Sequence, residues 1–537
     1  MKKALALLLA AVLLLGVLTG CAGETVAEPS VNEEVDGNQF SFPTLVPPTI
    51  KETEEPESTP EPVTNSIVLP QLTMVKGVNT LSNPNMKYVM IYNPSVVPPS
   101  MESIPTRSTG SFGNQINPYM NRSEVLEEGG FLEVTPNELS PLITDEEPNK
   151  EGDRAGIAPV YSQGSTRSFY VTPQHDLNAP RIIRDFSCRY VGEHCYVWVH
   201  NGTLSDSMAQ KYGQEFDANI YEQEVALFGE PRFADMGGKV HLLYYPMQNE
   251  FAGCFCSYDL YATGEYSDAV VQQYGLNLDH AIVHMNSTYA ADSRYELSMT
   301  TTLAHEFQHL INGSDMFYTY DWNWSPSWIN EAMSTYIETV LYPENKEENY
   351  NYTRLHNDYI IRHGQSLYNF NYKTPYNEYD FSVYDNVYLF ANYLAALAGD
   401  DVFSNFHYYW RYSGSTTLSD IEAITNSVPD SVYAQVVNSV DDSALPFDEE
   451  NAFMSKLTLQ FYLDQLDREA TDPEAFSTLN SSMLLYDEIN PAYIENGGRI
   501  IVAVNSGTYT VPSDASTYLM YIGLDANFQP CTDLLYY

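Results

Sequence analysis

Residues 301–312, TTLAHEFQHLIN, constrain this chain more than any other stretch. At about 100° per residue of helix, His305 and His309 fall on one side, opposite Leu303, Ala304, Phe307, Leu310 and Ile311. One face of such a helix buries in a core, and the other presents two ring nitrogens to one point. Glu306 lies beside the histidine pair, close enough to reach a water on a shared metal ion without being a ligand itself. The bland alternative is a helix with two satisfied histidines, so the rest of the chain has to supply a third ligand.

The chain opens with MKKALALLLAAVLLLGVLTG, where Lys2 and Lys3 precede an apolar run that ends in small residues ahead of Cys21. This reads as a secretory signal and stays out of fold reasoning. Leu18, Thr19, Gly20 and Cys21 resemble the lipobox of bacterial lipoproteins, which implies cleavage before Cys21 and a lipid anchor on it. Residues 22–65 carry ten acidic side chains and seven prolines against the single Lys51. Such a composition cannot bury enough apolar surface to order itself, and it predicts a self-repelling stalk between membrane and folded part. The expected location is the bacterial cell envelope, with the folded part extracytoplasmic.

A net charge of −46 argues strongly against nucleic acid or anionic lipid as a partner, because a phosphate backbone would be repelled. No apolar run beyond the leader is long enough to span a membrane. Five cysteines remain after Cys21 and cannot all pair within one chain. Cys188 and Cys195 flank a turn at 191–194, where they could face each other across a hairpin. Cys254 and Cys256 point to one side if their segment is a strand.

Beyond the stalk, the organisation expected is a β-rich N-terminal region over 66–180, an α/β half with the histidine motif over 181–320, a helical half over 321–480 and a C-terminal β region over 481–537. Strands IIRDFSCRYV and HCYVWVH precede a helix spanning SDSMAQKYGQEFDANIYEQEVALFG, then strands KVHLLYYPM and HAIVHMNS around the Gly-containing segment FAGCFCSYDLY. Downstream, PSWINEAMSTYIETVL reads as a helix with Ser325 as cap and Pro326 in the first turn. Further helical patterns run through VYLFANYLAAL to AFMSKLTLQFYLDQLDREA, and GRIIVAVNSGTYTV and TYLMYIGLDA close the chain as strands. The fold class expected is α+β.

A hydrolytic zinc site usually has three protein ligands and leaves the fourth position to water. Glu331 stands 22 residues beyond His309, a spacing that lets a second helix return across the first. Read alone, its stripe of Glu331, Ser334, Thr335 and Glu338 is equally a solvated helix face. Together, HEFQHLIN and SWINEAMS resemble the Glu-zincin metallopeptidases, the thermolysin-like group in which an Asn-Glu pair on the second helix supplies the third ligand. Within that group AHEFQHLIN, ALFGEPRFADMGGKVHLLYYPM and YDNVYLFANYLAALAGDD are most similar to the hyicolysin-type family.

The resemblance implies Zn2+ held by His305, His309 and Glu331, with Glu306 as general base and a protein or peptide as substrate of a monomeric enzyme. It also implies an oxyanion donor from the helical half, with Tyr384 the first candidate and His356, His363 and Tyr388 behind it. Thr335 stands where thermolysin-like enzymes carry a supporting carboxylate, so a zinc-bound histidine needs support from elsewhere. FAGCFC is the candidate substrate-binding edge strand, since its glycine permits close backbone approach. Two rivals remain: a non-catalytic surface-binding lipoprotein on a peptidase scaffold, and a solute-capturing lipoprotein, whose repeated α/β lobes the sequence does not show.

Overall fold

The structure, a computed structural model, describes residues 67, 69–95, 160–172, 181–231, 238–247, 252–260, 271–272, 275–277, 280–318, 327–343, 367–368, 382–399, 401–412, 420–441, 449–471, 494, 497–512 and 519–536. The leader, Cys21 and the acidic stalk lie outside the described residues. The architecture is α+β. No described helix is long and apolar enough to cross a membrane.

Short strands β1 (Met74–Lys76), β2 (Thr80–Ser82) and β3 (Tyr88–Tyr92) come first. Next are β4 (Thr166–Val171), β5 (Ile182–Val191), β6 (Cys195–His200), β7 (Val240–Tyr245), β8 (Gly253–Phe255) and β9 (Ile282–Asn286). These six form one sheet in the order β4-β5-β6-β7-β9-β8. β6, β7 and β9 run parallel, and β8 lies antiparallel to β9 at the edge. All six residues of β6 and of β7 are buried, as continuous apolar runs must be where both faces of a sheet are covered.

The crossover that parallel pairing of β6 and β7 requires is made by α1 (Asp206–Glu215) and α2 (Tyr221–Phe228). Ser205 caps α1 by accepting a hydrogen bond from the Met208 amide at 3.2 Å. One continuous helix was expected here, but a π-helical turn, Phe216–Ile220, interrupts it. That turn delivers Asp217 to the β5–β6 hairpin, where its carboxylate accepts from the Glu193 and His194 amides, each at 2.8 Å. Gly192 has to be glycine, because a Cβ there would sit 2.0 Å from Asp217 Oδ2.

The hairpin also rules out the expected Cys188–Cys195 bridge. Both thiols are free, Cys188 pairs with Trp198, and the register slips between Cys188 and Tyr190. Cys188 packs in the outer core with Trp198 and Tyr245, whereas Cys195 packs in the main core. The two sulfurs lie on opposite faces of the sheet.

Helix α3 (Glu296–Tyr318) carries the histidine motif against the inner face of this sheet, and α4 (Ser327–Leu341) packs back across it. The helical half continues with α5 (Ser382–Ala398), α6 (Asp401–Tyr412), α7 (Asp420–Ser427), α8 (Asp430–Asn438) and α9 (Glu449–Thr471). Aromatic edges join its layers: Trp328 of α4 meets Phe390 of α5 at 5.7 Å, and Phe390 meets Phe461 of α9 at 5.4 Å. Such pairs add about 0.5–1.5 kcal/mol each beyond the area they bury.

The last strands are β10 (Arg499–Ala503), β11 (Thr508–Thr510), β12 (Met520–Leu524) and β13 (Leu534–Tyr536). They do not form a sheet of their own. The order β1-β13-β12-β3-β10 interleaves strands from the two ends of this unit, and β2 pairs with β11. The Tyr92 hydroxyl of β3 donates to the Ser455 carbonyl at 3.0 Å, docking this sheet on α9.

Candidate metal centre

The apolar stripe of α3 does what its spacing predicts. Leu303, Ala304, Phe307, Leu310 and Ile311 are fully buried, and Phe307 packs edge-on against Phe216 at 4.8 Å. This fixes the rotation of the helix, so His305 and His309 face α4. Glu331, on the first turns of α4, comes to meet them. The Nε2 atoms of His305 and His309 are 3.0 Å apart, and Glu331 Oε2 lies 3.2 Å from the first and 3.6 Å from the second. For metal–ligand bonds of about 2.0–2.1 Å, the edge of a zinc tetrahedron is about 3.3 Å. The three donors therefore have the spacing of one face of a zinc coordination shell.

The surroundings fit a cation as well. Glu331 is fully buried, and no described hydroxyl or amide hydrogen-bonds its carboxylate oxygens. A buried carboxylate facing only imidazoles is costly unless a positive charge sits among them. Burial alone would raise its pKa, but His309 and His305 hold it below the ordinary value. Burial likewise works to lower His305, yet its hydrogen bonds with Glu331 and Glu338 lift it well above the usual imidazole range. His309 is lowered, chiefly by burial.

Each imidazole is held from behind. Glu338 Oε1 is 2.8 Å from His305 Nδ1. Ser334 Oγ is 2.9 Å from His309 Nδ1 and 2.5 Å from Gln308 Oε1. A proton on each Nδ1, given to Glu338 and to Ser334, leaves both Nε2 lone pairs free to bind metal. Thr335 takes no part, since its hydroxyl donates to the Glu331 carbonyl at 2.6 Å. The support that Thr335 cannot give comes one turn later on the same helix face. Glu338 was visible in the sequence only as one polar residue of a stripe, and its separation from Glu331 by two turns does not reveal which histidine it meets.

Glu306 is buried beside the centre, and burial pushes its pKa well above the carboxylate range, opposed by His305. Edge strand β8 lies against it. A Cβ on Gly253 would stand 3.0 Å from both Glu306 Cγ and Thr302 Cγ2. Among the described residues, the free side of β8 has no strand partner. Glu224 of α2 is a further acidic residue without any sequence signal. It is fully buried, its oxygens have no hydrogen-bond partner among the described residues, and burial raises its pKa well above normal against the pull of His305.

Tyr384 belongs to α5, but its side chain lies outside the described residues, as do His356 and His363. Tyr388 is buried in the main core.

No family model matches the chain. It is 27% identical over 227 residues to the neutral metalloprotease ShpI of Staphylococcus hyicus. The match takes in 40% of this chain and 48% of that protein, so the chain spans about half the length of the curated relative it matches.

Proposed function

We propose that the protein is a zinc metalloendopeptidase that hydrolyses peptide bonds in proteins or peptides, held on the outer side of a bacterial membrane by lipid on Cys21. The observation that carries the reading is the triangle of His305, His309 and Glu331 with Glu306 and edge strand β8 beside it. The distant, partial likeness to a neutral metalloprotease supports a metallopeptidase.

Zinc, when bound, supplies a Lewis acid that polarises a carbonyl and brings the pKa of a bound water to about 7. The chain's own residues do the rest. Glu338 and Ser334 orient the two imidazoles, so the ligand set is built before metal arrives. Glu306 takes the proton from the attacking water and passes it to the leaving amine. An extended peptide adds to the edge of β8 that has no strand partner among the described residues, and Gly253 lets that strand lie close enough to bring the scissile bond to Glu306. Tyr384, in α5, is the first candidate for the oxyanion donor that related enzymes take from their helical half.

Zinc analysis combined with a chelator-sensitive assay on unfolded protein substrates tests the reading. We expect about one zinc at this centre, and loss of most of it in His305→Ala, His309→Ala or Glu331→Ala, each of which removes a ligand. Full occupancy and activity in Glu331→Ala would contradict the ligand assignment. Bound zinc without any hydrolysis would favour a surface-binding lipoprotein on a peptidase scaffold.

A further inference from the structure

On the far face of the six-stranded sheet from α3, a second set of metal-ligating side chains converges. The strand period of two explains how. Gly253 and Phe255 of β8 face α3 and the main core, and Cys254 and Cys256 face the outer core. A 3-10 turn, Ser257–Leu260, then carries Asp259 back beneath Cys256, with the Asp259 amide donating to the Cys256 carbonyl at 3.1 Å. His284 reaches the same point from β9. The Sγ of Cys256, a carboxylate oxygen of Asp259 and a ring nitrogen of His284 all lie within 4.8 Å of one another. Cys254 lies beside Cys256 in the same outer core, outside that triangle. All four side chains are fully buried.

Two features make this more than a polar pocket. The first is the orientation of His284: Nε2 lies 3.0 Å from Asp259 Oδ2, and Nδ1 lies 3.2 Å from the Tyr245 hydroxyl. One nitrogen faces the cluster and the other is held from outside, as in a ligating imidazole. The second is charge. The buried guanidinium of Arg181 contacts both oxygens of Asp259, at 2.8 and 3.0 Å, and lies 3.4 Å from His284 Nε2. It balances the one carboxylate. With both thiols ionised the cluster would still carry two negative charges, the amount one divalent cation neutralises.

We propose that Cys256, Asp259 and His284 form a second metal site, which takes one zinc ion, draws in the neighbouring Cys254 as its fourth ligand and so clamps edge strand β8 to β9. Two sulfurs, a nitrogen and an oxygen with no position left for water make a structural zinc site. Arg181 then serves as the outer partner of Asp259. The clamp holds Gly253 against Glu306 from behind, but the site stands without the peptidase reading, because its ligands are not those of the first centre.

The first centre has no sulfur ligand, so cobalt(II) exchanged into the full chain separates the two sites. Thiolate-to-cobalt charge-transfer absorption in the near ultraviolet, together with two metal ions per chain, is the expected result. The doubly substituted His305→Ala, His309→Ala chain should keep one ion and the band. Cys256→Ser should lose the band and one ion, and X-ray absorption on the wild-type zinc protein should show Zn–S distances of about 2.3 Å even if that variant fails to fold. One zinc per chain, lost entirely with His305 and His309, and no thiolate band or Zn–S scattering, would overturn the proposal and leave Arg181 as the only cation of the cluster. A disulfide between Cys254 and Cys256 in the purified chain would overturn it too.

Discussion

Glu338 Oε1 stands 2.8 Å from Nδ1 of His305, two helical turns beyond Glu331 on the same helix. One helix thus supplies both a ligand-type carboxylate in front of the imidazole pair and a positioning carboxylate behind it. Replacing Glu338 with Gln keeps size and one hydrogen bond but removes the charge that favours a protonated Nδ1. Zinc affinity, measured by competition with a chelator, should fall by about 10–100-fold while the helix stays folded. Unchanged affinity in Glu338→Gln would mean that the contact orients nothing.

Gly253 tests the edge strand. A Cβ there meets Glu306 Cγ and Thr302 Cγ2 at 3.0 Å and the His284 carbonyl at 3.1 Å, and valine adds two methyl groups to that contact. Overpacking of this kind costs about 1–3 kcal/mol, and here the strain falls on Glu306. Gly253→Val should lower both the melting temperature and kcat and leave zinc at the first centre in place. Wild-type kcat in that variant would remove β8 from the account of substrate binding.

The anchor can be tested apart from catalysis. Cys21→Ser should release the protein from the membrane fraction with its activity per molecule unchanged, because the acidic, proline-rich segment 22–65, whose composition predicts a stalk, stands in the sequence between residue 21 and the catalytic residues. A Cys21→Ser protein that stays with membranes would argue against lipidation.

What the sequence made legible follows from the range of the interactions involved. The burial of Leu303, Phe307 and Leu310 and the opposed placement of His305 and His309 depend on helical period alone, and that period held along α3. Glu331 needed only a second helix returning across the first. The Cys188–Cys195 bridge failed because strand facing depends on register, and a slip at 188–190 put the two residues on opposite faces. The π turn at 216–220 has no local signal in the sequence, since the contacts of its Asp217 are with the 193–194 amides of another element. No local signal could pair β3 with both β10 and β12, since strand partners hundreds of residues apart are chosen by the packing of the whole unit.

Substituting Glu306 with Gln tests the central claim most directly. Gln has nearly the same size, so α3 and the three donors of the centre should be undisturbed, but it cannot accept the proton that the attacking water must lose. The account predicts zinc content and thermal stability close to wild type, with peptide hydrolysis reduced by about 10² to 10⁴-fold, the usual contribution of a positioned general base. A Glu306→Gln protein that cleaves peptides at the wild-type rate would contradict the mechanism even with zinc fully bound.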